Sequence, residues 1–133
     1  MLKAKKSLGQ NFLVDSNIID KITNIVEIKN KNILEIGPGT GNLTKKIIEK
    51  KPNKFLTIEK DNDLVKVLRE KFESNVKIIN GDVLKIDENC LSDQVLTVFG
   101  NLPYNISTKI LIKWILNINE KKIWFNYLIL MFQ

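Results

Sequence analysis

Histidine is absent from this sequence, and cysteine and arginine occur once each. Without imidazole there is no histidine triad, no histidine metal site and no histidine acid–base chemistry near neutral pH. Cys90 alone can make neither an intrachain disulfide nor a cysteine cluster for zinc, and no metal is expected. Arg69 is the only arginine among 21 basic residues. Bidentate arginine readout of bases is therefore not expected, and contacts to a phosphate backbone fall to lysine. Long apolar runs are missing as well. The longest, Ile123 to Phe132, is interrupted by Asn126 and is too short to span a bilayer. Residues Met1 to Gln10 are basic and polar, with no apolar stretch of signal-peptide length. A cytoplasmic protein without a membrane partner is the expectation. What remains is an ordinary globular composition of 133 residues, 44% hydrophobic and 27% charged, enough for one domain around one core. The net charge of +6 suits nucleic acid and plain solubility alike.

One stretch organises the rest: Asn32-Ile33-Leu34-Glu35-Ile36, then Gly37-Pro38-Gly39-Thr40-Gly41, then Asn42-Leu43-Thr44. The apolar run reads as a buried parallel strand, and Leu43, Ile47 and Ile48 recur at helical spacing beyond the loop. Glycines at alternate positions permit a tight turn and close approach of a ligand to the main chain. The order Gly37-x-Gly39-x-Gly41 is one residue shorter than the dinucleotide fingerprint, and no Gly-Lys-Ser/Thr follows as in a Walker loop. A nucleoside without phosphates, such as S-adenosylmethionine, suits such a loop; so does a turn that binds nothing.

Further strands are expected at Phe55 to Ile58, Val76 to Ile79, Val95 to Phe99 and Ile123 to Phe132. Helices are expected from Asp15 or Ser16 with Ile18, Ile19, Ile22, Ile25 and Val26 inward, from Gly41 to about Lys50, from Asp61, and from a Ser107 cap with Ile110, Leu111, Trp114 and Ile115 inward. Alternation of this kind predicts an α/β fold with a parallel sheet whose ligands lie beyond the carboxyl ends of the strands. Each of the first four strand ends carries a polar or glycine-rich element: the loop, Glu59, Asp82, and Asn101-Leu102-Pro103-Tyr104. A carboxylate at Glu59 is placed to accept from ribose hydroxyls, and one at Asp82 from the exocyclic amine of an adenine. Singly, Glu59 also reads as a solvated strand-end carboxylate and Asp82 as a turn or cap residue.

Asn101 to Thr108, together with Gly37 to Gly41 and Gly9-Gln10-Asn11-Phe12-Leu13, resembles the ribosomal RNA adenine dimethyltransferases, and the small-subunit enzymes most. The resemblance runs from about Lys5 to Gln133. It implies a Rossmann-like methyltransferase fold, S-adenosylmethionine as methyl donor, and two methylations of an adenine's exocyclic amine in small-subunit (16S) ribosomal RNA or a pre-ribosomal particle, by a monomer. It also implies roles: Asn11, Leu13, the loop at Gly37, Gly39 and Gly41, Glu59, Asp82 and Asn101 for the cofactor. Asn101 and Leu102 would accept from the target amine, and Tyr104, beside Pro103, would stack on the extruded base. A neutral amine attacking a sulfonium needs no strong base, which accords with the lack of histidine. Family members continue past Gln133 with further strands and a helical C-terminal domain. The chain is thus expected to be the N-terminal part of the catalytic domain, its sheet cut after the fifth strand, with little or no activity of its own. Lys3, Lys5 and Lys6 are expected to carry RNA-backbone contacts. Two alternatives are a large-subunit adenine methylase and a non-catalytic nucleic-acid-binding factor on the same fold.

Overall fold

The computed structural model describes residues 3, 5, 12–118 and 123–132. Its elements are α1 (Ser16–Thr23), β1 (Asn32–Ile36), α2 (Asn42–Glu49), β2 (Lys54–Glu59), α3 (Asn62–Phe72), β3 (Lys77–Asn80), β4 (Leu96–Leu102), α4 (Ser107–Asn117) and β5 (Phe125–Phe132). Two short 3-10 turns, Val83–Lys85 and Glu88–Cys90, lie between β3 and β4. The five strands form one sheet in the order β3-β2-β1-β4-β5, and every pairing is parallel. β1 sits at the centre because it is apolar on both sides: Ile33, Leu34 and Ile36 are almost fully buried. Alternation along the strands divides the core. Leu34, Ile36, Leu56 and Ile58 face Ile110 and Trp114 of α4. Ile33 and Phe55 face Ile19 and Ile22 of α1 and Leu43 and Ile47 of α2.

Helix starts follow the caps. The Asp15 carboxylate accepts from the N–H groups of Asn17 and Ile18, and that of Asp61 from Asp63 and Leu64. Four sequence expectations need correction. Helix α1 ends at Thr23, so Ile25 lies beyond it and is exposed, as is Ile18. Ser107 is not a cap; it is the first residue of α4, buried, with its hydroxyl donating to the Tyr104 carbonyl at 3.4 Å. Ile115 faces outward. β4 also runs further than expected, through Asn101 and Leu102, because Met131 and Phe132 of β5 pair with them. From β1 the chain builds one side of the sheet through β2 and β3, then crosses back past β1 to β4 and β5 on the other side. The switch point therefore lies between β1 and β4, where open α/β sheets place their ligands.

Candidate active site

The carboxyl end of the sheet opens into a cleft with about 800 Å³ of empty space, part of it open to solvent. Its walls come from Phe12 and Leu13, from the end of β1 and its loop (Glu35 to Gly39), and from Ile58 to Lys60. Gly81 to Val83, together with Asn101, Pro103 and Ile106, complete it. The strand-end elements singled out from sequence thus line one cavity.

Gly37 closes β1 with φ 67°, a conformation that a side chain would strain. A Cβ there would lie 3.0 Å from the Asn101 carbonyl oxygen. Glycine at this position therefore lets the glycine loop touch the end of β4. Leu13 lines the cleft and is tied to α2, its carbonyl accepting from the Asn42 amide at 3.0 Å. Phe12 packs on Gly39, with its ring 3.2 Å from where a Cβ would stand. Phe12 was not singled out from sequence, although it sits between two residues that were.

Glu59 is buried and braces the loop: one carboxylate oxygen accepts from the Gly39 N–H at 3.3 Å, the other from the Asp61 N–H at 3.0 Å. Burial raises its pKa, and those N–H groups oppose the rise. The Lys60 N–H opposes it as well, and a carboxylate's roughly four acceptor positions are not all filled by these three donors. Asp82 is the turn cap that one sequence reading expected, and it also lies on the cleft wall. It accepts from the Leu84 N–H at 3.0 Å, with Lys60 3.5 Å away.

Glu35, like Phe12, is a site residue that sequence reasoning passed over. It stands in the middle of the sheet, 1% exposed, and lines the cleft floor. Burial pushes its pKa to about 8, against the hydrogen bond that Thr44 donates at 2.6 Å and with a smaller push from the Glu59 charge. Its register partner Thr57 has a buried hydroxyl with no hydrogen-bond partner among the described residues. A charged residue type inside a strand buried on both faces was the available signal.

The structure does not bring every expected residue to the cleft. Gly41, at φ 93°, is absent from the lining; a Cβ there would meet the Phe72 ring at 2.5 Å, so this glycine makes room for α3. Leu102 has its side chain in the core, and Tyr104 is half-exposed outside the lining. Asn11 and Lys6 lie outside the described residues. Lys5 is engaged with the protein itself, 3.0 Å from Asp61 and 2.9 Å from Asp63, and its pKa is raised by the bonds to Asp63 and Asp61. It is therefore a poorer candidate for RNA contact than the exposed Lys3. Among the described residues no group of three or more His, Cys, Asp or Glu could hold a metal ion, and no helix is long and apolar enough to cross a membrane.

The family model described as ribosomal RNA adenine dimethylase matches residues 1–133. Among curated proteins, the chain is 61% identical over 132 residues to ribosomal RNA small subunit methyltransferase A of Pelagibacter ubique, covering 99% of this chain and 50% of that protein. It is 47% identical over 117 residues to the protein of the same name from Mycoplasmopsis pulmonis, covering 87% of this chain and 45% of that one. Among solved structures, a dimethyladenosine transferase from Plasmodium falciparum superposes with a TM-score of 0.75 at 30% identity, over 92% of this chain and 43% of that one. The 23S rRNA methyltransferase ErmE superposes with a TM-score of 0.67 at 31% identity, over 78% of this chain and 42% of that one. The chain spans about half the length of the curated relatives it matches.

Proposed function

The chain belongs to the ribosomal RNA adenine dimethylase family, and we propose that it forms the cofactor-binding part of a methyltransferase catalytic domain that dimethylates adenines of small-subunit ribosomal RNA. The observation that carries this reading is the contact between its two halves. Gly37 of the cofactor loop lies against the Asn101 carbonyl at the end of β4, so a bound methyl donor and a target base would meet there.

The cleft fits S-adenosylmethionine. The loop around Gly37 and Gly39 admits close backbone approach, the acceptor capacity left on Glu59 suits ribose hydroxyls, and Asp82 suits an adenine amine. Leu13 and Phe12 supply apolar cover, and Asn11, which precedes them in sequence, is a further candidate contact. When bound, the cofactor supplies an electrophilic methyl group on a sulfonium. Asn101 would accept a hydrogen bond from the target amine, turning its lone pair out of ring conjugation. The Leu102 carbonyl would accept a hydrogen bond from the second amine N–H, while Pro103 stiffens the turn. Tyr104, outside the cleft, is placed to meet a base arriving from solvent. Lys3 and other exposed lysines would bear the RNA backbone.

The small-subunit reading is supported by the names of the curated relatives, which match at higher identity and coverage than ErmE. Titration calorimetry with S-adenosylhomocysteine tests the cofactor site. Wild type should bind, and Glu59→Ala should lose about 1.5–3 kcal/mol, the range for a hydrogen bond to a charged group. Unchanged affinity would remove Glu59 from the site. Labelled methyl transfer in a chain extended to the length of the curated relatives, compared on unmodified small-subunit and large-subunit particles, tests the substrate. RNA binding without any transfer would instead favour a non-catalytic binding factor.

A further inference from the structure

The Lys113 ammonium, on α4, donates all three of its protons to one segment of the chain. Its acceptors are the Val83 carbonyl at 2.7 Å, the Ile86 carbonyl at 2.5 Å and the Glu88 carboxylate at 2.6 Å. The same Glu88 oxygen accepts from the Trp114 indole at 2.7 Å. Glu88 and Trp114 are both essentially inaccessible to solvent. Neither charge was noticeable in the sequence, where each reads as one more solvated residue.

The position of this knot gives it a consequence for the cleft. Val83 lines the cleft, and Asp82 before it caps the turn that Lys113 grips. At its other end α4 begins directly after the turn that starts at Pro103, just past Asn101 at the end of β4, and there the N–H groups of Ile106 and Ser107 donate to the Pro103 carbonyl at 3.1 and 3.0 Å. We propose that Lys113, anchored by Glu88, is a positioning residue: it locks the Asp82–Val83 wall to the helix that follows the Asn101 end of β4, so that adenine recognition and the reacting end of the cleft share one register. This rests on the reading of Asp82 as the adenine acceptor. A lysine is suited to the task because its three rotatable N–H donors can meet acceptors converging from one side. Removing it leaves two carbonyls and a buried carboxylate without their cation.

A double-mutant cycle on the 133-residue chain tests the inference. S-adenosylhomocysteine and methylthioadenosine, which share the adenosine half, are titrated against wild type, Lys113→Met, Asp82→Asn and the double variant. Titrations run well below each melting temperature, so that loss of stability alone does not register. Lys113→Met should weaken both ligands at least fivefold. The double variant should be weakened by much less than the product of the single losses, because placement of the wall no longer matters once its acceptor is impaired. Unchanged affinity in Lys113→Met, or strictly multiplicative losses, alongside a weakened Asp82→Asn overturns the positioning role and leaves the site reading intact. If wild type does not bind, or Asp82→Asn has no effect, the site reading fails and the inference falls with it. Should Lys113→Met not fold, Glu88→Gln carries the same cycle, since it keeps an oxygen for Trp114 while removing the anchoring charge.

Discussion

Glu35 provides the sharpest test of the electrostatics in this cleft. Burial keeps its carboxyl protonated up to about pH 8, whereas the same group in solvent ionises near 4.5. Between those values the unfolded chain has released a proton that the folded chain still holds. Stability therefore falls as pH rises: the contribution is fully present below 4.5 and is lost progressively up to 8. At about 1.36 kcal/mol per pH unit the window amounts to roughly 4–5 kcal/mol as an upper bound. Water in the open cleft reduces it, and about 2–4 kcal/mol is the expected measured loss, a large share of a domain's roughly 5–15 kcal/mol. Glu59, whose pKa burial also raises, adds slope of the same sign.

Glu35→Gln removes this titration while keeping an oxygen to accept from Thr44. It also places a second N–H in the core. The partnerless Thr57 hydroxyl offers one acceptor, so one N–H is left over, at a cost of about 1–3 kcal/mol. The two stability curves should therefore cross: wild type is the more stable at pH 5, the variant at pH 8.5. Urea unfolding from pH 5 to 9 reads this directly, provided the m-values agree. Parallel curves over that range would refute the assignment of a buried, neutral carboxyl.

Two further outcomes follow from the loop and from the end of β4. Gly41→Ala puts a methyl group 2.5 Å from the Phe72 ring at φ 93°; strain and overpacking together should cost about 2–4 kcal/mol in urea unfolding, and a loss below about 0.5 kcal/mol would mean that α3 gives way freely. In a chain extended to the length of the curated relatives, Asn101→Ala should lower kcat by more than tenfold, or about 1.4 kcal/mol in barrier, while S-adenosylhomocysteine affinity falls much less; turnover within tenfold of wild type would remove Asn101 from the chemistry.

The elements that a local pattern decides were legible from sequence. Buried parallel strands read as short apolar runs, and β1 emerged with its observed limits; Asp15 and Asp61 marked helix starts because capping is a contact over two or three residues. What stayed hidden depends on partners distant in sequence. Asn101 and Leu102 belong to β4 only because Met131 and Phe132 lie alongside. Gly41 looked like its two neighbours in the loop, yet its missing side chain answers to Phe72, far along the chain. Lys113 and Glu88, 25 positions apart, carry no sign in sequence that one is the other's buried counter-ion.

The loop also explains why this glycine-rich strand–helix junction is unsuited to phosphate. In phosphate-binding junctions, free backbone N–H groups and a nearby cation face the anion. Here the Gly39 N–H already donates to Glu59, and the Gly37 N–H to the Ile58 carbonyl. Among the described residues, the titratable groups lining the cleft are Glu35, which burial holds neutral near pH 7, the carboxyls of Glu59 and Asp82, and the ammonium of Lys60, which lies against Asp82. A phosphate would enter against that charge, whereas a nucleoside bearing a sulfonium would be drawn in. The protein's net charge of +6 is thus carried outside the pocket. That division accords with the proposed sites, a cationic methyl donor in the cleft and a polyanion on the surface.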